Sequence, residues 1–430
     1  MLVLLIFSVL VLLILLGFPI AVAMGLTAIG FFLGLGEPRM IGAMAQRMYS
    51  GVSSFPLLAI PFFILAGNLM NSGGMTDRIF NFARTLVGHV RGGLAHVSVL
   101  ASMLFAGVSG AALAEAMGLG VIEIKAMKDG GFDKTFAGAV VASSSTIGPV
   151  IPPSIPMVIY GALAEVSVGS LLLGGVIPGI MMGVGIMIVI YILSVKRGYR
   201  AEARATLAQM VRSGIDGVLG LIAPGIIMGG ILGGIFTPTE AAVAAVIYAL
   251  IVGVIVYREL DLSRLTAILW DTVDQTCRVM FIIAAAGMFG WLLIYIRAPQ
   301  AIVESLTQLT SSTWVILLIL NFILLVLGCF MEGIAIMLLT VPIFMPVLAK
   351  FGIDPVHFGV VMTLNLMIGL LTPPVGMVLY AVSTIAEVPV VKLAWELVPF
   401  MIVLGVVLML ITFIPGLVTW LPGLVMGRFN

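Results

Sequence analysis

Charge is scarce in this chain. Its 430 residues include 20 Lys and Arg and 19 Asp and Glu, 9% in all, where a soluble domain carries about a quarter. No polar stretch is long enough to fold a soluble domain. Hydrophobic residues make up 62%, and the mean hydropathy is +1.28. This excludes a soluble enzyme and indicates a polytopic membrane protein whose spans cover nearly the full length. The net charge of +1 excludes nucleic acid as a partner. Cysteine is almost absent: Cys277 and Cys329 both sit in apolar runs, so free thiols are expected and no disulfide framework. His89, His96 and His357 are scattered singly and show no zinc spacing. There is no Gly-rich loop ending in Lys, so the chain cannot power itself with ATP. No Gly-x-Ser-x-Gly elbow, Ser/His pair or paired-Asp arrangement supports a hydrolase or an intramembrane protease. The N-terminus lacks the basic start of a cleavable leader, so Leu2 to Leu16 is read as a mature helix.

Proline and glycine, in contrast, are conspicuously placed. Gly148-Pro149-Val150-Ile151-Pro152-Pro153 and Gly369-Leu370-Leu371-Thr372-Pro373-Pro374 both lie deep in apolar stretches. Adjacent prolines remove backbone donors, and their rings clash with a continuing helix. In a membrane, the freed carbonyls are tolerated only where they are buried in protein or line a polar cavity. Two such interruptions, one in each half, point to a transport site. The halves correspond at an offset of 221: Leu104 falls on Leu325, Gly107 on Gly328, Gly131 on Gly352, Asp133 on Asp354 and Gly138 on Gly359. Gly148 then falls on Gly369, both prolines match, and Pro178 falls on Pro399. A run in step over this length is an internal repeat.

The expected fold is therefore an all-α polytopic membrane protein of two inverted-topology repeats, each with a re-entrant helical hairpin and a Pro-broken helix. Repeat one spans 1–195, a basic loop 196–213, and repeat two 214–430. Hairpin one is expected at about 92–128 and its broken helix at 133–165; hairpin two at about 313–350 and its broken helix at 355–386. Each repeat reads as two helices, an amphipathic connector, a third helix and a second connector before the hairpin. The loop holds Lys196, Arg197, Arg200, Arg204 and Arg212 against one acid, Glu202, and is cytoplasmic by the positive-inside rule. Arg78, Arg84, Arg91, Lys125, Lys128 and Lys134 flank hairpin one, but only Arg297 and Lys350 flank hairpin two. The hairpins should thus open to opposite sides, with both termini outside. Arg39 and Arg47 fall on the outer side, where interfacial connectors can hold them. Trp291, Trp314, Trp395 and Trp420 sit near span ends, as an interfacial belt would place them.

Hairpin tips and helix breaks offer complementary chemistry. Helix starts at the tips, Gly107-Val108-Ser109-Gly110 and Gly328-Cys329-Phe330-Met331-Glu332-Gly333, present backbone N–H groups that suit carboxylates. The breaks present carbonyls, with hydroxyls of Ser143, Ser144, Ser145, Thr146 and Thr372 and the amide of Asn365, which suit Na⁺ or another hard cation. The serine run also reads as small-residue helix packing. The expected substrate contacts are Ser109, Gly110, Ser144, Pro149, Pro152, Glu332, Gly333, Asn365 and Pro373. The expected cation contacts are Ser109, Ser145, Gly148, Ile151, Pro153, Gly328, Gly369, Thr372 and Pro374. Glu115, Glu240 and Glu332 are the carboxylates nearest mid-membrane. Thr237-Pro238-Thr239-Glu240 has the form of a helix start, so Glu240 reads as a cap, and Glu332 as a site or tip-stabilising residue. Glu165 and Glu387 end the broken helices and read as interfacial. A channel would need a continuous polar lining, and a structural subunit would not need paired breaks; a secondary transporter explains both.

The chain resembles the large membrane subunit of tripartite ATP-independent periplasmic (TRAP) transporters along essentially its whole length. The specific stretches are Ala59 to Asn68, Ile147 to Ser154, Phe236 to Ala242 and Thr372-Pro373-Pro374-Val375-Gly376. The resemblance implies Na⁺-driven uptake of an organic acid (a C4-dicarboxylate, sialic acid or other carboxylate) delivered by a periplasmic substrate-binding protein. A proton-coupled or binding-protein-independent carboxylate transporter of related fold is the alternative. It also implies an elevator motion, an inner-membrane location among lipid, and a small four-helix membrane subunit, expected here as a separate chain. Relatives tend to have Ser at Ala111, Asp at Glu115 and Glu332, and often Pro at Lys125.

Overall fold

The computed structural model describes residues 2–37 and 39–427; the side chains of Leu4 and of residues 106–109 lie outside that description. Among the described residues every regular element is helical. Among the described residues, seven helices are long and apolar enough to cross a membrane, from Phe55–Ser72 to Val390–Phe413, and several shorter apolar helices accompany them.

The chain begins with Leu2–Leu15, Ile20–Gly34, Arg39–Val52 and Phe55–Ser72, then an amphipathic helix, Met75–Val87. Gly93–Ser109 and the pair Ala112–Met117 and Leu119–Asp129 form the first hairpin. Lys134–Ser145 and Ile155–Ala164 are the arms of the first broken helix, and Val168–Arg197 follows. The second half runs Leu207–Leu232, Pro238–Ile251, Leu262–Tyr295 and Ala298–Leu309. Its hairpin is Thr313–Gly328 with Gly333–Phe351, its broken helix Pro355–Gly369 with Met377–Ala386, and its long helix Val390–Phe413, before a final Gly416–Val425.

Matched residues do matched jobs. Asp133 and Asp354 both cap the first arm of a broken helix, each carboxylate accepting two backbone N–H groups. Glu165 and Glu387 both end the second arm in the left-handed conformation and are exposed. Pro178 and Pro399 lie inside the two long helices, and both Pro-Pro bonds, 152–153 and 373–374, are cis.

Packing is exchanged symmetrically, as two-fold-related halves require. The first arm of each broken helix packs on the long helix of the other half, and the second arm on the hairpin of the other half. The two long helices pack on each other. Close approach there is made by glycine: a Cβ on Gly359 would collide with the Tyr160 ring, whose hydroxyl donates to the Pro355 carbonyl at 2.8 Å.

Two elements depart from the expected pattern. The connector and third helix of the second half are a single 34-residue helix, Leu262–Tyr295, not two. In the first half the same stretch is split at Ser53-Ser54, and Pro56 opens the short turn that follows. The residue in step with Pro56 is Cys277, which has an N–H to give, so the helix continues. The second arm of the first hairpin is in turn broken at Gly118, whereas its counterpart, Gly333–Phe351, is continuous. The basic loop is also shorter than expected, because a Thr206/Gln209 capping box starts the next helix at Leu207.

Candidate functional site

Each hairpin tip is docked on the break of its own half. Gly110 holds a left-handed conformation at the first tip, φ +56°. A Cβ there would lie 3.2 Å from Ile155 and 3.4 Å from the Pro153 carbonyl, so glycine meets both the backbone and the space requirement. At the second tip the contact is backbone to backbone: a Cβ on Gly369 would fall 2.6 Å from the Gly328 Cα. The Cys329 carbonyl accepts the N–H groups of Val375, at 3.1 Å, and Gly376, at 3.3 Å. Glu332 caps the second arm of this hairpin, accepting the Ala335 N–H at 3.2 Å, and Gly333 lies against Leu366 and Met367.

The two breaks resolve their backbone differently. In the first, Pro149 and Pro152 have no N–H for the carbonyls of Ser145 and Gly148, and no other described donor reaches either. The Ile151 carbonyl also has no partner among the described residues, while its side chain packs into the notch left by Gly179. Pro149 is the exception, its carbonyl accepting the Ser154 hydroxyl. Ser143, Ser144, Ser145 and Thr146 are all buried, and each donates its hydroxyl to a carbonyl of its own helix. Among the described residues, nothing donates to the remaining lone pairs of their oxygens.

In the second break the carbonyls were expected to be free; those of Gly369 and Leu370 are re-paired, while no described donor reaches those of Leu371 and Thr372. Gly369 accepts the Thr372 N–H at 3.0 Å, and Leu370 accepts Val378 and Leu379. The Thr372 hydroxyl donates to the Ile368 carbonyl at 2.9 Å, beside the apolar face of the Val390–Phe413 helix. A side-chain acceptor is unsatisfied here as well. Asn365 is fully buried and donates its amide to the carbonyl and Oδ1 of Asn321, at 3.0 and 2.7 Å, while its own Oδ1 has no partner. Pro152 and Pro153 are buried, whereas Pro373 and Pro374 are exposed.

Of the residues expected to bind, the structure brings Gly110 to Pro153, and Gly328 to Gly369, within each half. Ser144, Ser145, Gly148, Pro149, Ile151 and Pro152 share the first break; Asn365, Thr372, Pro373 and Pro374 share the second. Ser109 ends the Gly93–Ser109 helix, and its side chain lies outside the described residues. The Glu240 carboxylate accepts the Thr237 N–H at 2.7 Å, completing a capping box away from both breaks.

A small cavity of about 70 Å³ lies beside the first tip, lined on one side by Ala111 and Ala114 and on the other by Asn68, Asn71 and Gln275. These three amides come from helices outside the hairpins, and reading the sequence for breaks and tips passes over them. Their only local signal is an uncharged polar side chain in an apolar run. Asn68 is oriented by donating to the Thr272 hydroxyl at 3.0 Å, and Asn71 by accepting that of Thr76 at 3.1 Å.

Freed carbonyls, unpartnered oxygens and hydroxyl lone pairs form an oxygen-only donor set, which fits a hard monovalent cation and offers nothing to a soft metal. The known proteins agree with a transport reading. The family model for the DctM component of tripartite ATP-independent periplasmic transporters matches residues 7–417. The chain is 44% identical to the sialic acid TRAP transporter large permease protein SiaM of Vibrio cholerae, over 93% of each chain. It is 40% identical to the C4-dicarboxylate TRAP transporter large permease protein DctM of Pseudomonas aeruginosa, over 88% of this chain and 89% of that one. Among solved structures it is similar in fold to the YdaH transporter of Alcanivorax borkumensis, with a TM-score of 0.63, 14% identity and 90% of each chain covered. Paired breaks, docked tips and full-length similarity converge: the chain belongs to the TRAP transporter large-permease family, a multi-pass transport protein and not an enzyme.

Proposed function

We propose that this chain is the transport core of a Na⁺-coupled importer of an organic acid. The observation that carries the reading is the pair of docked break-and-tip sites with backbone carbonyls that no described donor reaches, those of Gly148 and Ile151 above all. In this reading Na⁺ is held by Ser109, Ser145, Gly148, Ile151 and Pro153 in one half and by Gly328, Gly369, Thr372 and Pro374 in the other. The bound ion supplies positive charge beside the tips. The substrate carboxylate meets the tips at Ser109, Gly110, Glu332 and Gly333, with Ser144, Pro149, Pro152, Asn365 and Pro373 behind them. Asn68, Asn71 and Gln275 face it across the small cavity. The relatives named for sialic acid and C4-dicarboxylates support a carboxylate substrate.

The two hairpins are re-entrant and, with the broken helices, form the body that moves as an elevator. The helices of 1–50 and 214–270 belong to the scaffold, and the repeats run 1–195 and 214–430 about a cytoplasmic loop. Both termini lie on the periplasmic side of a bacterial or archaeal inner membrane. Substrate arrives on a periplasmic binding protein, and a small four-helix membrane subunit completes the complex.

Uptake into proteoliposomes holding the chain and both partners tests this, with a panel of organic acids as substrates. Uptake is expected to require an inward Na⁺ gradient and the binding protein. Uptake that persists with K⁺ replacing Na⁺ on both sides, under a proton gradient alone, indicates a proton-coupled carrier instead. Efficient uptake without the binding protein removes that partner from the reading.

A further inference from the structure

Arg47 is a cation that none of the roles above uses. It sits on the amphipathic Arg39–Val52 helix, on the outer side in the topology proposed above, against the positive-inside trend. It lines a cavity of about 240 Å³. Arg47, Ser50 and Trp291 form one wall; Leu163, Leu338 and Pro342, from the first broken helix and the second hairpin, form the other. Among the described residues lining this crevice, Arg47 is the only charged one. Arginines elsewhere are ion-paired: Arg78 with Glu259 at 2.8 Å, Arg84 with Glu202 at 2.6 Å and Arg197 with Glu396 at 2.6 Å. Arg47 takes part in no ion pair among the described residues. Its guanidinium instead lies over the Trp291 ring, 5.2 Å from the centroid.

A guanidinium resting on a ring by its face keeps the N–H donors of its edge, and that fork matches a carboxylate bidentately. Low-dielectric walls focus the field of a lone cation, so an anion is drawn into such a crevice more strongly than to an open surface. The crevice also lies on a route. Leu338 is on the same helix as Gly333, five residues past the tip and so about 7–8 Å further out. An acid entering between the two bodies on the side where the second hairpin opens meets Arg47 before it meets the tips. We propose that Arg47 is a capture site for the substrate carboxylate at the outer mouth, separate from the sites at the tips. The proposal rests on the carboxylate-importer reading above. Capture of this kind is electrostatic and needs no coupling ion, whereas occupation of the tips does. A lipid phosphate carries the same anionic oxygens, but protein forms both walls here, which favours a soluble acid.

The test uses the purified full-length chain in phosphatidylcholine nanodiscs, with Cys277 and Cys329 replaced by Ala and Ser50→Cys as a reporter in the crevice. Labelling by a membrane-impermeant thiol reagent is timed against sialic acid and against succinate, with choline chloride holding ionic strength constant. At least one acid is expected to slow labelling about threefold or more, saturably, and to do so without Na⁺. Adding Arg47→Gln should raise the half-protecting concentration about tenfold, about 1.4 kcal/mol. Arg47→Lys keeps the charge without the fork and should fall between. Arg47 is exposed, so these variants are expected to fold; if Arg47→Gln does not, Arg47→Lys decides, and undiminished protection overturns the site. Protection that requires Na⁺, or that Arg47→Gln leaves unchanged, puts the acid at the tips, overturning the capture site and leaving the importer reading standing. Protection by neither acid also overturns it, and slower labelling in phosphatidylglycerol would then assign the guanidinium to a lipid headgroup. Arg47-dependent protection in a chain that shows no Na⁺-dependent uptake keeps the capture site and removes the coupling.

Discussion

At the scale of single residues, two side chains of the second half separate binding from packing. The Thr372 hydroxyl already donates to a backbone carbonyl, so only its oxygen lone pairs remain for an ion. Thr372→Val should lower stability by about 1 kcal/mol, the ordinary worth of one such bond. It should also raise the Na⁺ concentration for half-maximal uptake. A lower Tm with unchanged Na⁺ dependence would make Thr372 a packing residue. Asn365 sits in a buried chain: it donates to Asn321, Asn321 donates to the Thr412 hydroxyl at 3.0 Å, and Thr412 donates to the Leu408 carbonyl at 2.7 Å. Asn321→Leu leaves the Asn365 amide without its acceptor, and thermal unfolding should report a loss of about 1–3 kcal/mol. Asn365 was visible in the sequence as an amide near a break. Its partner Asn321 was not, because the two are 44 positions apart and only the packing of two helices joins them.

At the scale of elements, breaks were legible wherever they are made by local chemistry. Pro152-Pro153 and Pro373-Pro374 stop helices in any surroundings, since each removes a donor and adds a clash. Pro56 does the same, and its absence at Cys277 allows one long helix in the second half. Cys277→Pro would impose the first half's break on the second. It removes a mid-helix hydrogen bond and should cost about 3 kcal/mol, read as a fall in Tm and in folded yield. A Cys277→Ala control should behave as wild type, because the side chain is exposed. Helix ends set by weaker signals were less legible. The capping box at Thr206 moved a boundary by several residues, and the Gly118 break in the first hairpin has no proline to announce it.

At the scale of the whole molecule, the elevator reading predicts that scaffold and hairpins slide past one another. Gly290 and Leu338 line a common cavity of about 240 Å³ between the long Leu262–Tyr295 helix and the second hairpin. Gly290 has open space around its Cα, so a side chain is tolerated there. With Cys277 and Cys329 replaced, a cross-link between Gly290→Cys and Leu338→Cys should abolish uptake and leave the Na⁺-dependent rise in Tm intact. Uptake that survives complete cross-linking would exclude relative motion of these two elements. Contacts that cross the halves also respond to pH. The Lys134 ammonium, bonded to Glu387 at 3.1 Å with Lys128 at 3.7 Å, holds that carboxyl below its ordinary value of 4.5. A depressed value means the stabilisation is present above the unfolded value and is lost as pH falls through the folded one. The Tm difference between wild type and Glu387→Gln should therefore be greatest near neutrality and be lost as pH falls through the folded value, which lies below 4.5. It should be small, and smaller in high salt, because the pair is exposed.

The sequence by itself determined the solvent, the repeat and the positions of the breaks. Hydropathy, an offset that keeps prolines and acids in step, and the missing N–H of proline are properties of the chain alone. Tertiary structure decided what faces each break. It turned Glu115 onto Gly148, set Gly328 against Gly369, re-paired the carbonyls of Gly369 and Leu370, and brought Asn68, Asn71 and Gln275 to the first tip. Apart from the local turn at Gly369 and Leu370, these contacts join residues distant in the chain, and for such pairs it is helix packing, not local propensity, that selects the partner.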